Sequence, residues 1–553
     1  MGRSTWPAAL PPDGAVRTAA TWCLSRIFHA RILTAQARSR RPLLPKGRTD
    51  DLASCAPTLE PVPSELPPAQ PIELPKVDFL RAGRRRRQTA LSIARRLGPL
   101  LGHRVRSGSV PDRVVARAFR QVTDDLGASY TKFGQLVASA SGIFGEEVAA
   151  QFTTCLDKGK PVPLDRVINV IERELGRPID EVFTQLDPEP IGCASIAVVH
   201  RAVTLDGRVV AVKVLRPGVR STVATDLVLM RQLFAAIGRV ASADLGRGLR
   251  EGLDNFEAQV REELDLRNEA RAMAHQRDLL AELGVTAVVV PEPYPELSGA
   301  RVLTMEFLDG APVHDTEALA ELTDDPAELV REVVKAWFVM ALRYGTFHGD
   351  VHAGNLLALR PTPERPATVA MIDWGIVGRL DPDAHAFFRR LIAGALGDAD
   401  ALDAIADEFY QRGGALLTER VGIPEDVAKA IIKVRIQDVF NRPFSEIGFG
   451  TFLMAQQRGG LIGAEGADAM LDEALRQAGI PDDDRPGEIR RRMKNGAKNA
   501  KDDVVTGALP EVDRNLMLLG KQLMFFESYG KTYLADEPFL GDRAFFAQAL
   551  AER

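Results

Sequence analysis

A chain of 553 residues, of which 45% are hydrophobic, is long enough for a two-lobed core with additional segments. Its formal net charge of −5 gives it no electrostatic preference for nucleic acid, so we expect no nucleic-acid partner. The 4 cysteines include no Cys-x-x-Cys pair, which argues against a disulfide framework or a zinc site and favours a reducing cytoplasm.

The N-terminal part of the chain differs in composition from the rest. Residues 1–75 are rich in Pro and Arg, and we expect them to be disordered. A basic run at 81–87 then leads into an amphipathic pattern at 90–97, which suits an anionic lipid surface; a solvated charge run is the alternative. No stretch approaches the ~20 apolar residues of a membrane span, so we expect peripheral association with the inner face of a membrane.

Three segments of the first half carry unusual residue types. Residues 130–135 read Tyr-Thr-Lys-Phe-Gly-Gln, and residues 191–200 form a segment rich in small side chains. The β-branched run at 209–214 predicts a strand from which Lys213 projects, as a kinase lysine does to reach the α- and β-phosphates of ATP. For an isolated match, the alternative is a strand lysine that extends to water.

An acidic helix and a further strand follow Lys213. A polar–apolar pattern from about 245 to 280 predicts a helix that carries several carboxylates. A kinase-like site needs one Glu to pair with Lys213, and both Glu263 and Glu269 are candidates. The alternative is a solvated acidic face balanced by neighbouring arginines. Residues 301–310 read as a strand that ends in a turn at Asp309, where two lobes would connect.

The chemistry is concentrated in two segments further on. Residues 348–355 read His-Gly-Asp-Val-His-Ala-Gly-Asn, and Asp373 is followed by Trp and Gly. In the pattern His-x-Asp-x-x-x-x-Asn the acid orients or deprotonates an attacking hydroxyl and the amide holds a metal ion, while the later Asp supplies a second metal ligand. We therefore expect Asp350 to be catalytic and Asn355 and Asp373 to bind Mg²⁺.

The order of these segments resembles the UbiB/AarF-type atypical kinases, the coenzyme-Q-associated kinase-like family. Residues 132–135 match its Lys-x-Gly-Gln motif, residues 263–265 match its Glu-x-Asp motif, and residues 191–200 resemble its Ala-rich loop, with no Gly-rich loop before Lys213. The resemblance implies that Lys132 is catalytic. It also implies a nucleotide-binding set that contains Lys213, Glu263, Asp265, Glu269, Gln135, Ala194 and Ser195.

Several residues depart from the family pattern. Val351 and Ala353 stand where the family has prolines, Val198 replaces a Gln, and Trp374 replaces a Phe. None of these changes removes a metal ligand or the nucleotide lysine. Nucleotide binding is therefore better supported than any particular reaction.

The predicted fold is α+β, a bilobal protein-kinase-like fold with an N-terminal helical extension and a helical C-terminal part. The predicted divisions are 1–75 (disordered), 76–185 (extension with Lys132), 186–310 (smaller lobe with a helical insert) and 311–553 (larger lobe with the catalytic loop). Helices are predicted near 384–396, 401–412, 424–435 and 516–529.

The motifs predict an ATP- and Mg²⁺-dependent phosphoryl-transfer site, and the resemblance implies an atypical kinase or ATPase in isoprenoid-quinone or lipid metabolism. Its expected partners are ATP and either an anionic lipid surface or lipid-metabolising enzymes. Two alternatives stay open: a small-molecule phosphotransferase of aminoglycoside-kinase type, and a nucleotide-binding scaffold without turnover. The sequence does not identify the phosphoryl acceptor, the oligomeric state or which Glu pairs with Lys213.

Overall fold

The structure, a computed structural model, describes residues 69–77, 83–107, 112–139, 148, 150–152, 161–237, 243–362, 368–411, 424–447, 476 and 514–551. All of these residues lie in the unit Pro61–Arg553. The segment predicted to be disordered falls outside the described ranges, apart from residues 69–75.

Helices and strands alternate along the described chain, which confirms the predicted α+β class. The helices are α1 (Gly83–Ser107), α2 (Asp112–Leu126), α3 (Ala128–Ser139), α4 (Leu164–Leu175), α5 (Val219–Ile237), α6 (Ala243–Glu263), α7 (Leu266–Glu282), α8 (Thr316–Leu322), α9 (Pro326–Tyr344), α10 (Pro382–Ala395), α11 (Ala399–Phe409), α12 (Glu425–Asn441), α13 (Arg514–Tyr533) and α14 (Arg543–Ala551). The strands are β1 (Phe183–Leu186), β2 (Gly192–Cys193), β3 (Ala197–Thr204), β4 (Val209–Leu215), β5 (Val288–Val289), β6 (Val302–Glu306), β7 (Gly310–Pro312), β8 (Thr346–His348), β9 (Leu356–Leu359), β10 (Val369–Met371) and β11 (Val377–Arg379).

A five-stranded antiparallel sheet forms the smaller lobe. Its order is β1-β3-β4-β6, with β2 paired to β3. Successive side chains of a strand point to opposite faces. The valines at alternate positions of β4 pack with Val167 and Ile171 of α4, whereas Ala211 and Leu215 belong to the main core on the other face. Lys213 shares the face of Ala211 and Leu215, and this alternation directs it away from α4.

The N-terminal helices pack on the helical insert between β4 and β6. The ring of Phe133 in α3 lies 4.9 Å from that of Phe234 in α5 and 5.4 Å from that of Phe256 in α6, centroid to centroid. Arg85 of α1 donates to Asp226 of α5 at 2.7 Å. These contacts hold α3, which carries the Lys-x-Gly-Gln motif, against the two insert helices.

An extended segment, residues 69–77, runs beside the junction of α6 and α7. The backbone N–H of Ile72 donates to the carbonyl of Arg261 at 3.2 Å, and that of Gln70 donates to Oδ1 of Asn268 at 3.0 Å. The last residues of the segment predicted to be disordered are therefore hydrogen-bonded to the insert.

The larger lobe is built around the buried helix α9. Trp337 packs edge-on against Phe526 of α13 at 5.3 Å, and Phe338 packs against Phe546 of α14 at 5.3 Å. The helices predicted in the C-terminal part are confirmed as α10, α11, α12 and α13, with some ends extended. Within the described residues, no helix is both long enough and apolar enough to cross a membrane.

Two small sheets bring the chemical motifs together. Strands β8 and β11 are antiparallel with His348 opposite Val377, and β9 and β10 are antiparallel with Leu356 opposite Met371. The start of the loop from β8 to β9 therefore lies beside the end of the loop from β10 to β11, and the end of the first loop lies beside the start of the second. The first loop holds Asp350, and the second begins just before Asp373.

Candidate active site

Lys213 joins the two lobes through two ion pairs. Its Nζ lies 2.8 Å from Oε1 of Glu269 in α7 and 2.8 Å from Oδ1 of Asp373 in the loop after β10. Burial disfavours the charged amine, yet attraction by Asp373 and Glu269 outweighs it, so the pKa of Lys213 is raised. Of the two candidates in the sequence, the structure pairs Glu269 with Lys213.

Glu269 reaches Lys213 because a new helix begins just before it. The single helical pattern predicted from 245 to 280 is wrong in this detail, since α6 ends at Glu263 and α7 begins at Leu266. Asp265 is the N-cap of α7, and its side chain accepts from the backbone N–H of Arg267 at 3.1 Å. Its Oδ2 also lies 2.6 Å from Nη2 of Arg267. The described hydrogen bonds of the Asp265 side chain are therefore made with Arg267 at the start of α7, and not with Lys132 or Lys213.

Glu263, the last residue of α6, pairs with the second lysine. Its Oε2 lies 2.7 Å from Nζ of Lys132 in α3, with side-chain exposures of 6% for Glu263 and 14% for Lys132. Gln259 donates to the other oxygen of Glu263 at 2.8 Å. A buried carboxylate is costly without a cation and hydrogen bonds, and Glu263 has both. Gln135 lies in α3, the helix that carries Lys132, but its side chain is outside the described part of the structure.

The side chains of Asp373, Glu269 and Glu263 all lie close to Gly375. A Cβ at Gly375 would lie 3.3 Å from Oδ1 of Asp373, 3.8 Å from Oε2 of Glu269 and 3.9 Å from Cγ of Glu263. Burial raises the pKa of Glu269 to about 7, against the attraction of Lys213. Burial also opposes ionisation of Asp373, but Lys213 holds the pKa of that carboxyl far below its usual range. The pKa values of the two acids paired with Lys213 are therefore shifted in opposite directions, that of Glu269 upward and that of Asp373 downward.

His348 ties the catalytic loop to the segment before Asp373. It is fully buried, its Nδ1 accepts from the backbone N–H of Asp350 at 3.1 Å, and its Nε2 donates to the carbonyl of Ile372 at 3.0 Å. Burial lowers the pKa of His348, which keeps the ring neutral and able to play both roles. The ring of Trp374 packs edge-on against it at 4.4 Å. The large aromatic residue that follows Asp373 thus supports the loop that carries Asp350.

Asn355 is held next to Asp373 by backbone pairing. Its carbonyl accepts from the N–H of Ile372 at 2.9 Å, and its side-chain nitrogen donates to the carbonyl of Asp350 at 3.0 Å. That bond uses the nitrogen end of the amide, so the oxygen end is the one suited to a cation. Asp373 has φ 60°, a left-handed conformation that no other described non-glycine residue adopts. The backbone thus turns sharply at the second proposed metal ligand.

The donor set fits Mg²⁺ carried by a nucleotide. No group of three or more His, Cys, Asp or Glu residues suited to a metal ion occurs within the described ranges. Mg²⁺ commonly takes one or two protein oxygens and completes its octahedron with phosphate and water. One amide oxygen from Asn355 and one carboxylate from Asp373 match that requirement, whereas an all-protein cage is not formed by the described residues.

Ala194 and Ser195 lie in the turn between β2 and β3. Gly192 pairs with Val199, which in turn pairs with Lys213. The turn is closed by the Ala194 N–H, which donates to the carbonyl of Ala197 at 3.0 Å, and by Arg216, whose Nη2 donates to the carbonyl of Ala194 at 2.8 Å. The small-residue turn therefore belongs to the sheet that carries Lys213.

One contact of Asp350 is absent from the sequence predictions. Nζ of Lys521 in α13 lies 2.7 Å from Oδ1 of Asp350, although 171 residues separate the two in the chain. The sequence predicted α13 only as a helix, since no local motif marks a lysine that docks on a distant loop. Burial opposes ionisation of Asp350, but Lys521 holds the pKa of the carboxyl below its usual range.

Comparison with known proteins shows which family this chain resembles. The family model described as ABC1 atypical kinase-like domain matches residues 154–405. The protein Rv0647c of Mycobacterium tuberculosis is 33% identical over 365 residues, which cover 65% of this chain and 72% of the relative. The probable protein kinase UbiB of Azotobacter vinelandii is 32% identical over 65% of each chain. A solved structure of Rv3197 of M. tuberculosis with erythromycin is 20% identical, covers 67% of this chain and 89% of that one, and has a TM-score of 0.36. The chain belongs to the ABC1 atypical kinase-like family, as its resemblance to UbiB and AarF proteins predicted.

Proposed function

We propose that the chain is an ATP-dependent atypical kinase or ATPase of the UbiB type, which acts in isoprenoid-quinone or lipid metabolism at a membrane surface. The observation that carries the proposal is the placement of Lys213 between Glu269 and Asp373, beside a loop that runs from Asp350 to Asn355. This is the set of groups that phosphoryl transfer requires. Membership of the family supports the reaction class, and the acceptor is left open.

Each residue has a role in the proposed reaction. Lys213 would bind the α- and β-phosphates of ATP, and Glu269 would fix its ammonium group. Asn355 and Asp373 would hold Mg²⁺, which when bound neutralises phosphate charge. Asp373, which is paired with Lys213 at 2.8 Å, would be the carboxylate among these two ligands. Asp350 would orient a hydroxyl or water for attack on the γ-phosphoryl group.

Lys132 and Glu263 would act beside the reacting groups. The positive charge of Lys132 contributes to the low pKa of Asp373, so the two are close enough to interact. With its ammonium held by Glu263 at 2.7 Å, Lys132 would face the phosphate region from the N-terminal extension. Gln135, Ala194 and Ser195 are proposed nucleotide contacts on the family resemblance. For Asp265 we propose an indirect role, because it begins the helix that carries Glu269.

The test of the proposed function is ATP turnover by the full chain with Mg²⁺. We expect hydrolysis or phosphoryl transfer that rises when liposomes of phosphatidylcholine contain phosphatidylglycerol, measured with γ-labelled ATP and separation of the labelled products. Label transferred to a soluble metabolite without any lipid effect would instead support the small-molecule phosphotransferase. MgATP binding without turnover under all of these conditions would contradict the enzyme proposal and support the scaffold.

A stripe on α1 supports the membrane part of the proposal. Arg84, Arg87, Leu91 and Arg95 lie on one face of the helix and are exposed, Leu91 by 72%. Two other arginines of the helix form ion pairs within the protein, Arg85 with Asp226 and Arg96 with Asp125. The exposed stripe thus combines cations with an apolar side chain, which suits the surface of an anionic bilayer.

Charge reversal on this stripe should weaken the binding of the protein to anionic lipid. Each basic residue near an anionic surface contributes about 1 kcal/mol, so Arg84→Glu with Arg87→Glu should weaken partitioning at least ~30-fold. The measurement is flotation with phosphatidylglycerol-containing liposomes. The matched control is Arg166→Glu with Arg173→Glu, two exposed arginines on one face of α4. Equal flotation of the two double variants, or no flotation of the wild type, would contradict a lipid-binding role for α1.

A further inference from the structure

Helix α13 is docked on the catalytic loop by hydrogen bonds on both sides of Asp350. Nε2 of Gln522 donates to the carbonyl of Gly349 at 2.7 Å, and the N–H of Val351 donates to Oε1 of Gln522 at 2.9 Å. The hydroxyl of Tyr529 donates to the carbonyl of Val351 at 2.6 Å. Gln522 is completely buried, so these bonds lie in a dry interface and fix the register of the helix against the loop.

The close approach depends on a glycine of the loop. A Cβ at Gly349 would lie 2.8 Å from Cδ2 of Leu518 in α13 and 2.7 Å from Cγ2 of Ile376. Any larger residue would push the helix away. The catalytic loop and α13 thus form one packed unit, although α13 lies outside residues 154–405, which the family model matches.

This register places Lys521 against the proposed catalytic acid. Nζ of Lys521 lies 2.7 Å from Oδ1 of Asp350, while Nε2 of His352 lies 3.7 Å from Oδ2. The loop sequence 348–355 contains no Lys or Arg, and Lys521 of α13 brings a permanent positive charge to it. The side chains of Lys521 and Asp350 are 19% and 22% exposed, so each keeps a small part of its surface in contact with solvent.

Lys521 is not the main anchor of the helix. Its pair with Asp350 is one contact among several between α13 and the loop. The buried bonds of Gln522 and Tyr529 and the packing of Phe526 against Trp337 already anchor α13. Lys531 of the same helix illustrates an ordinary surface lysine, since it is 42% exposed and pairs with Glu527 at 2.6 Å. The position of Lys521 at the reacting carboxylate therefore points to a role in the reaction.

We propose that Lys521 is a positioning residue for phosphoryl transfer, whose ammonium holds Oδ1 of Asp350 so that Oδ2 faces the acceptor hydroxyl; this inference rests on the proposed function. In the step it serves, the bond between the γ-phosphorus and the bridging oxygen of ADP breaks. A bond forms between that phosphorus and the acceptor oxygen, which belongs to an alcohol or to water. The acceptor proton passes to Oδ2 of Asp350, and ADP leaves with the bridging oxygen. The cation at Oδ1 keeps the carboxylate in the orientation that this transfer needs.

The test compares three variants in steady-state ATP turnover. Lys521→Met should lower kcat by ~10²-fold, because a misplaced catalytic group costs about that much, with little change in the KM for MgATP. Lys521→Arg should restore most of kcat, since the cation is retained. Lys531→Met, the control on the same helix, should behave as the wild type. Thermal unfolding should show that all three variants are folded at the temperature of the assay.

The outcomes separate this inference from the proposed function. An active wild type together with a Lys521→Met variant of equal or higher kcat would overturn the role of Lys521 and leave the proposed function standing. A loss expressed as raised KM, or a loss that Lys521→Arg does not relieve, would also overturn it. A wild type that binds MgATP but shows neither turnover nor extra thermal stabilisation by MgADP with aluminium fluoride would overturn the proposed function and the inference together.

Discussion

Asp350→Asn is expected to lower the turnover of ATP by ~10²- to 10⁴-fold, which corresponds to about 3 to 5 kcal/mol of activation free energy. The amide cannot accept the proton of the acceptor hydroxyl. It also loses the ion pair with Lys521, in which the two charged groups are 2.7 Å apart. The backbone bonds from Asp350 to His348 and Asn355 do not involve the carboxylate, so the loop should keep its shape.

The measurement is single-turnover and steady-state hydrolysis beside MgATP binding. Binding should be retained, because the groups proposed to hold the nucleotide and the metal lie elsewhere. Asp383→Asn, which neutralises an exposed acid in the first turn of α10, is the matched control and should leave kcat unchanged. Wild-type kcat in Asp350→Asn would show that another group takes the proton.

Asp373→Asn should abolish the Mg²⁺-dependent stabilisation of the protein by ATP. A ligand at ~100 times its dissociation constant adds about 2.7 kcal/mol to the free energy of unfolding. This gain should disappear when the only carboxylate proposed to hold the metal becomes an amide. Asn is a suitable replacement because it tolerates the left-handed backbone that Asp373 adopts with φ 60°. Lys213 keeps its bond to Glu269, so the unliganded variant should remain folded.

The experiment is thermal unfolding with MgATP, with ATP and EDTA, and without ligand. Relative to the measurement without ligand, the wild type should lose its shift when EDTA removes Mg²⁺, and Asp373→Asn should show no shift with MgATP or with ATP and EDTA. Asp350→Asn serves as the comparison, because it should bind MgATP without turning it over. An unchanged MgATP shift in Asp373→Asn would show that Mg²⁺ binds to other residues, and it would contradict the metal site proposed here.

The residues proposed for catalysis in the loop 348–355 could be selected from the sequence because they are close together in the chain. The spacing from His348 to Asn355 lies within one loop between two strands, and the structure shows His348, Asp350 and Asn355 bonded to one another there. The run at 209–214 likewise specifies a strand, and alternation along a strand decides on which face Lys213 lies. Periodicity also predicted the C-terminal helices, since α10 and α13 pack on the buried α9 and α11 and α12 pack on α10, which preserves an apolar face on each.

The partners of the acidic residues could not be predicted in the same way. Glu263 and Glu269 are equally plausible in a single helix, and the choice depends on where that helix breaks. Asp265 ends the ambiguity by capping α7, which places Glu269 in its first turn beside Lys213 and leaves Glu263 at the end of α6 beside Lys132. A capping residue and a catalytic acid look alike in a row of carboxylates, because both are short polar side chains near a helix start.

The sequence by itself determined the family, the α+β class and the identity of the lysine and of the loop residues proposed for phosphoryl transfer. Only the tertiary structure decided which carboxylate neutralises which lysine, and only it brought Lys521 of α13 to Asp350 across 171 residues of chain. The physical reason is that motifs record groups held together by one loop or strand. Ion pairs between distant elements depend on helix breaks, aromatic packing and a glycine at the point of contact, none of which has a local pattern.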